Sequence, residues 1–429
     1  MLIKHARLLD GTAADIRVED TITAVEADLS ARPGEDILDA AGRTVIPGLH
    51  DHHVHLHSAA AALRSVTVGP SDVRDRAGLA GILAEAPVGD DGWIRAVGYH
   101  EAVAGPLDRN LLDEIAPPVP VRVQHRSGVL WTLNTAGLER IGRADHPDGR
   151  LRSDDHGWSN TLPRNDTGLS QISRHLAGLG VTGVTDATPD LDATDVDALL
   201  AAHLYQRVHC LAPGKRILHD TDLDLDGLAD WIVDRHDHGT PVAVHCVTAA
   251  QLAVTLAALQ IAGSRAGDRI EHAAVVPDDS IAALADSGVT VVTQPNFVAE
   301  RGDQYLDDVP AAEHHELWRL ASLIDAGVPV ALSTDTPFGD GDPWRAMRAA
   351  VHRTTGAGHV LGAAERVAPH RALAMFLGPA ERPARPRRIA PGEPGDVVVL
   401  AGPPAEVLDA LDATMVEATI VAGRPVFER

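Results

Sequence analysis

The sequence predicts an α/β chain built as a (β/α)8 TIM-like barrel, with a composite β-sandwich from both termini and an insertion after the first barrel strand. Three observations carry this expectation. The middle of the chain alternates short apolar, β-branched runs with amphipathic helical stretches, the pattern of a parallel sheet or barrel. Both ends read as short strands punctuated by turns. Residues 58–165 separate the first barrel strand from the second, a stretch too long for a bare loop.

Taken in order, MLIKHARLLDG, ADIRVED, TITAVEADLS and DAAGRTVIPG supply the N-terminal strands. GDVVVLAG and MVEATIVAGRPVFE supply the C-terminal ones, after a Pro- and Arg-rich joint at 381–395. Residues 1–46 and 380–429 are therefore assigned to the composite sandwich, 47–57 and 166–379 to the barrel, and 58–165 to an insertion that contributes to the substrate pocket. Eight candidate barrel strands fall at 44–57, 181–187, 206–212, 215–220, 241–247, 269–275, 289–295 and 328–335. The barrel portion matches the minimal size of this fold, about 200–250 residues. One irregularity stands out. Only a few residues separate QRVHCLA from KRILHD, whereas a parallel crossover normally needs a dozen or more. Either a barrel helix is missing or one of the two is not a strand.

Composition excludes several classes. The formal charge of −24 repels DNA, RNA and anionic membranes. There is no apolar run of transmembrane length, and the first residues lack the apolar centre of a signal peptide. Two cysteines, Cys210 and Cys246, cannot make a disulfide framework. The expectation is a soluble, cytoplasmic protein acting on a small molecule, with no nucleic-acid or membrane partner. The insertion and the sandwich leave surfaces on which it can form a homo-oligomer.

The chemistry concentrates in a few places. HDHHVHLH (50–57) puts His53 and His55 two residues apart, on one face of a strand, where two imidazoles can grip one ion. A His-rich surface loop is the alternative, and the apolar lead-in VIPGL argues against it. His245 ends PVAVHCV and His272 ends RIEHAAV. Either alone reads as an ordinary core histidine. Together they fall at the C-terminal barrel end, where active sites of this fold sit, and imidazole is the commonest metal ligand. Asp335 ends VPVALSTD, as a turn residue or as a carboxylate that binds metal and moves a proton. Such a set suits Zn2+ and admits Mn, Fe, Co or Ni. The chain has 35 Arg but only two Lys, Lys4 in the first strand and Lys215 among these candidates.

With these residues in view, PGLHDHHVH resembles the P-G-x-x-D-x-H-x-H entry to the first strand of the amidohydrolase superfamily. The order HxH, Lys, His, His, Asp is similar to that of its binuclear members. Within it the resemblance is to the amidohydrolase-3 branch, which includes YtcJ-like proteins and N-substituted formamide deformylases. The segments that carry it are 111–138, PDGRL, LGVTGVTDA, RIEHAAVV, TQPNF and STDTPFGDGDPWRAM. The resemblance implies that His53 and His55 bind a buried ion, His245 and His272 an outer one, and carboxylated Lys215 bridges them. It implies that Asp335 is ligand and proton shuttle. One or two Zn2+ ions would activate water against the C–N bond of a small amide, formamide, carbamate or cyclic amide. A single ion on His53, His55, His245 and Asp335 stays open, because Lys215 opens the second strand of the irregular pair.

His125 or His100 is the candidate to stabilise the substrate oxygen. Tyr99, His100, Arg126, Trp131 and Gln294 are candidate pocket residues, with Asn134, Asp186 and Asn296 in similar segments. Trp131 suits an apolar group and Arg126 a carboxylate; packing is the alternative for each. Two other functions compete. Deaminases of nitrogen heterocycles resemble one another in an H-x-x-E pattern, but Cys246, Val247 and Thr248 follow His245. A non-catalytic metal-binding scaffold would lose ligands, and here every position is filled.

Overall fold

The computed structural model describes residues 1–70, 72–152, 158, 168–189 and 191–429. It contains two compact units, one of 1–55 with 173–429 and one of 56–172. The expected start of the second barrel segment at 166 lies outside the described residues.

In the first unit, eight short strands occupy the eight segments read from the sequence. They are β1 (Leu49–Val54), β2 (Val181–Asp186), β3 (Arg207–Cys210), β4 (Lys215–Ile217), β5 (Ala243–Cys246), β6 (Arg269–His272), β7 (Thr290–Thr293) and β8 (Val330–Leu332). They form two parallel ladders, β3-β2-β1 and β4-β5-β6-β7-β8. Where the ladders' ends approach, two main-chain bonds join β8 to β1. Asp335 N donates to His53 O at 3.0 Å, and His55 N donates to Thr336 O at 2.9 Å. This is an α/β fold of the TIM-barrel kind with flanking sheets.

The irregular pair resolves simply. β3 and β4 are both strands, and a tight turn closed by Gly214 N donating to Leu211 O joins them without a helix. They belong to different ladders, so no crossover is required. Elsewhere helices follow the strands: α1 (Ala193–Leu200) after β2, α2 (Leu225–Asp237) after β4, α3 (Ala249–Ala262) after β5, α4 (Ser280–Ser287) after β6, α5 (Asn296–Asp308) after β7 and α6 (Pro343–His352) after β8. Several starts are written in the sequence. Asp224, Thr248 and Asp342 each accept a backbone N–H of the first turn, satisfying donors that a helix leaves unpaired. Pro343 at the first position of α6 loses nothing, since its N–H would have no partner there.

Strands from both termini form one continuous sheet in the same unit. Its order is 424–428, 416–421, 397–400, 44–47, 2–7, 13–18 and 22–26, with 37–39 paired to 2–7. Ile3, Ile16, Val45, Val397 and Ile420 share its core. Arg207 of β3 holds Asp396 at the edge of this sheet through Nε at 2.5 Å and Nη2 at 3.1 Å.

The second unit has its own five-stranded sheet, ordered 150–152, 130–133, 121–125, 94–99 and 66–67. Leu79, Leu83, Ile94, Leu112 and Val121 pack its core. Asn134, a pocket candidate from sequence, instead caps the helix Thr135–Arg140 by accepting from Gly137 N and also accepts from Val121 N.

One buried contact sets the register of β1 against the segment after β8. Asp51 is fully buried; its Oδ1 accepts from Thr334 N at 3.0 Å and its Oδ2 from Thr334 Oγ1 at 2.5 Å. Thr334→Val keeps the volume but strands a carboxylate oxygen in the core. It should cost about 1–3 kcal/mol and lower the melting temperature in calorimetry, with Thr334→Ser restoring most of the loss. An unchanged melting temperature would contradict this reading.

Candidate metal centre

The ends of β1, β6 and β8 bring His53, His55, His272 and Asp335 together. Donor atoms of His53, His55 and Asp335 all lie within 4.8 Å of one another. Asp335 Oδ1 is 3.5 Å from His53 Nε2 and 3.4 Å from His55 Nε2. The His272 ring stands 4.8 Å from that of His53 and 4.5 Å from that of His245.

The backbone is shaped to do this. The register of β1 shifts against β2 between Asp51 and Val54, the mark of a bulge, which re-aims side chains. Glu271 and His272 are neighbours, so strict alternation would send them to opposite faces. Yet Glu271 bonds His53, and His272 contacts the same ring. The chain achieves this by entering the left-handed region at His272 (φ 71°) and Ala273 (φ 46°). Asp335 is also left-handed, at φ 59°. Non-glycine residues held there are strained, and such residues gather at functional sites.

Ring protons can be assigned from partners. His53 Nδ1 faces the carboxylate of Glu271, an acceptor only, so His53 carries its proton on Nδ1. His272 Nδ1 lies 2.7 Å from Gln294 Oε1, while the Gln294 amide nitrogen donates to Ser333 Oγ at 2.8 Å; the proton is again on Nδ1. The Nε2 lone pairs are therefore free to bind an ion. On His53 that lone pair faces Asp335 Oδ1, a second lone pair, and Oδ1 has no hydrogen-bond donor among the described residues. Two facing lone pairs repel, and a cation between them removes the conflict.

Electrostatics agree. Burial holds His53 and His272 well below the usual histidine range, and pulls His245 down to about 3. All three are neutral, as ligands must be. Lys215 opens β4, buried and, among the described residues, with no partner for Nζ, and burial pulls it down to about 8. Its charge depresses His53, His245 and His272, so it belongs to the same neighbourhood. Neutral imidazoles and one carboxylate fit a divalent ion.

Two residues of this centre escaped the sequence reading. Glu271, fully buried, orients His53 and accepts Arg269 Nε at 2.7 Å and Nη2 at 3.0 Å. Arg269 Nη2 also donates to His52 O at 2.6 Å. An Arg and a Glu two apart in an apolar strand were the available signal. Gln294, expected in the substrate pocket, is fully buried with its amide engaged by His272 and Ser333. Asn296 is buried too and donates to Thr334 O and Glu300. Asp186 ends β2, buried, accepting from Thr188 N.

The other candidates lie in the second unit. Tyr99 is core, its hydroxyl donating to Gly105 O at 2.6 Å, and so packs rather than faces a pocket. Arg95 and Arg122 stack over Trp131. Arg126 N donates to Tyr99 O. His100, Glu101 and His125 also converge within 4.8 Å. Here the tautomer points the other way. His100 Nδ1 accepts from Ala102 N and His125 Nδ1 from Ser127 N, both at 3.1 Å. The neutral rings then carry the proton on Nε2, and His125 donates it to Glu101 at 3.0 Å. This group presents hydrogen-bond donors, whereas the first centre presents lone pairs.

The chain is 25% identical to an N-substituted formamide deformylase of Arthrobacter pascens over 457 aligned positions, spanning 85% of this chain and 84% of that protein. It is 26% identical to an imidazolonepropionase of Halobacterium salinarum over 332 positions, 72% of this chain and 66% of that one. Among solved structures, an uncharacterized metal-dependent hydrolase from Pyrococcus horikoshii OT3 shares the fold with a TM-score of 0.74 at 18% identity, across 94% of this chain and 97% of that one. The sequence profile of the Amidohydrolase family matches residues 36–427, and the chain belongs to that family, in its amidohydrolase-3 branch.

Proposed function

We propose that this chain is a metal-dependent hydrolase of the C–N bond of a small amide, with N-substituted formamides as the first substrates to test. The observation that carries the reading is the convergence of His53, His55 and Asp335 within 4.8 Å, with the lone pairs of His53 Nε2 and Asp335 Oδ1 facing each other. In this proposal His53 and His55 would hold one ion, His245 and His272 would hold a second, and Lys215, carboxylated on Nζ, would supply oxygen ligands to both. Zn2+ is the metal that this donor set favours. A divalent ion held there polarises a carbonyl and lowers the pKa of bound water towards about 7.

The chain's own residues supply the rest. Asp335 takes the proton of the attacking water and returns it to the departing nitrogen. Its Oδ1 has no donor to compete for it. Glu271 holds the His53 ring by its Nδ1 proton, keeping Nε2 turned towards Asp335, and Gln294 holds the His272 ring by its Nδ1 proton. Burial of Lys215 without a partner favours its neutral amine, the form that combines with CO2. The likeness to a deformylase supports formamides as substrates.

Elemental analysis of protein purified without chelator should find close to two ions per chain, falling to one or none in Lys215→Ala. One ion in both proteins would remove Lys215 from the centre. Asp335→Asn should fold normally and lose activity on formamides and other small amides by about 10²-fold or more, the scale of general acid–base catalysis. Activity near wild type would exclude Asp335 as the proton shuttle.

A further inference from the structure

Asp335 is the residue on which the proposed chemistry turns, and its left-handed backbone needs a restraint. β8 ends at Leu332, and the bonds to β1 and Asp51 reach only Thr334, Asp335 and Thr336, so strand pairing leaves the segment 337–342 unfixed. A further restraint comes from the first two turns of α5. Asn296 Nδ2 donates to Thr334 O, the carbonyl that enters Asp335, at 3.0 Å. The same Nδ2 donates to Glu300 Oε1 at 3.0 Å, and Glu300 Oε1 also accepts from Asp340 N at 2.9 Å. Arg301 Nη2 donates to Phe338 O at 2.5 Å.

The segment itself folds back on Asp335. Phe338 N and Gly339 N both donate to Asp335 O, at 2.8 and 3.1 Å. Gly339 lies so close to α5 that a Cβ there would meet Asn296 Nδ2 at 2.3 Å and Thr334 O at 2.4 Å. The Phe338 ring stands edge-on to His55 at 5.1 Å. Two helical turns thus grip the segment before and after the bend.

We propose that Glu300 and Asn296 are positioning residues for Asp335, holding its carboxylate in reach of His53 and His55 without touching the ion. The inference rests on the metal-centre reading above. Glu300 is exposed as a residue and borders a cleft of about 350 Å³ that Asp340, Arg345 and His352 also line, although desolvation of its carboxyl raises its pKa above the usual carboxylate range. Its truncation therefore opens no cavity in the core. Glu300 and Asp335 are joined only through Asn296 and the segment backbone, so a defect in the first should appear at the second as loosened metal binding.

The test is Co2+ binding to the full chain, read by chelator competition and by the visible absorption of the bound ion. Glu300→Ala and Asn296→Asp should each weaken Co2+ binding about 10-fold, the usual effect of removing a partner that orients a ligand, and should alter the absorption band. Aspartate at 296 cannot donate to Thr334 O, so this variant carries the test should Glu300→Ala fail to fold. Glu300→Gln keeps an acceptor for both N–H groups and should restore affinity to within about threefold. Arg345→Ala breaks only the exposed pair with Asp340 and should leave binding unchanged. Folded Glu300→Ala and Asn296→Asp proteins with wild-type affinity and spectrum would overturn the proposal. Equal weakening by Arg345→Ala would overturn it too, by showing a loosened surface rather than a specific restraint. A wild-type chain that binds no Co2+ would instead bring down the metal-centre reading on which the proposal stands.

Discussion

Two main-chain hydrogen bonds between the end of β8 and the end of β1 hold the candidate centre together. Asp335 N reaches His53 O, and His55 N reaches Thr336 O. They bring residues almost three hundred positions apart in sequence into one cluster of donor atoms. A slip of one residue at this junction would turn His53 and His55 away from Asp335, because strand side chains alternate. The surrounding structure guards against that slip. Asp51 clamps Thr334 one residue before Asp335, and α5 grips the bend beyond it. The left-handed backbone of Asp335 is tolerated because it is held from three sides.

Desolvation makes this geometry chemically useful. Histidines buried beside Lys215 and Arg269 cannot afford a proton, so their lone pairs stay available through the neutral pH range. Glu271 offsets the charge of Arg269 and fixes the His53 tautomer with the same carboxylate. What is left over is informative. Lys215 Nζ and Asp335 Oδ1 are among nine buried side-chain atoms of the described residues that lack hydrogen-bond partners, although buried polar atoms nearly always have one. In the second unit, His100 and His125 are similarly clustered, but main-chain N–H groups occupy their Nδ1 atoms. Two histidine clusters of the same chain thus differ in chemistry through the side on which each ring is bonded.

Much of this was legible in the sequence, and the limits have physical causes. Alternation placed His53 and His55 on one face, and apolar runs between turns marked all eight strands. The pair of strands without a crossover helix read as an anomaly because adjacency was assumed; the structure puts them in separate ladders. His272 was found as a strand-end histidine, but its approach to the centre depends on positive φ angles that no residue pattern announces in a non-glycine. Glu271 was passed over because it sits beside the more conspicuous His272. Gln294, Tyr99 and Asn134 carry polar groups that suit a pocket, yet each is spent on holding its own structure. Polarity in a segment tells what a side chain can bond, and only the fold decides with what.

The central claim is that one divalent ion lies between His53, His55 and Asp335. The most direct measurement is a crystal of the full chain, grown from protein never exposed to chelator, with diffraction recorded on both sides of the zinc absorption edge. The account predicts an anomalous peak within bonding distance of His53 Nε2, His55 Nε2 and Asp335 Oδ1. A peak only at His100 and His125, or hydrogen-bonded water alone between His53 and Asp335 in zinc-supplemented crystals, would contradict it.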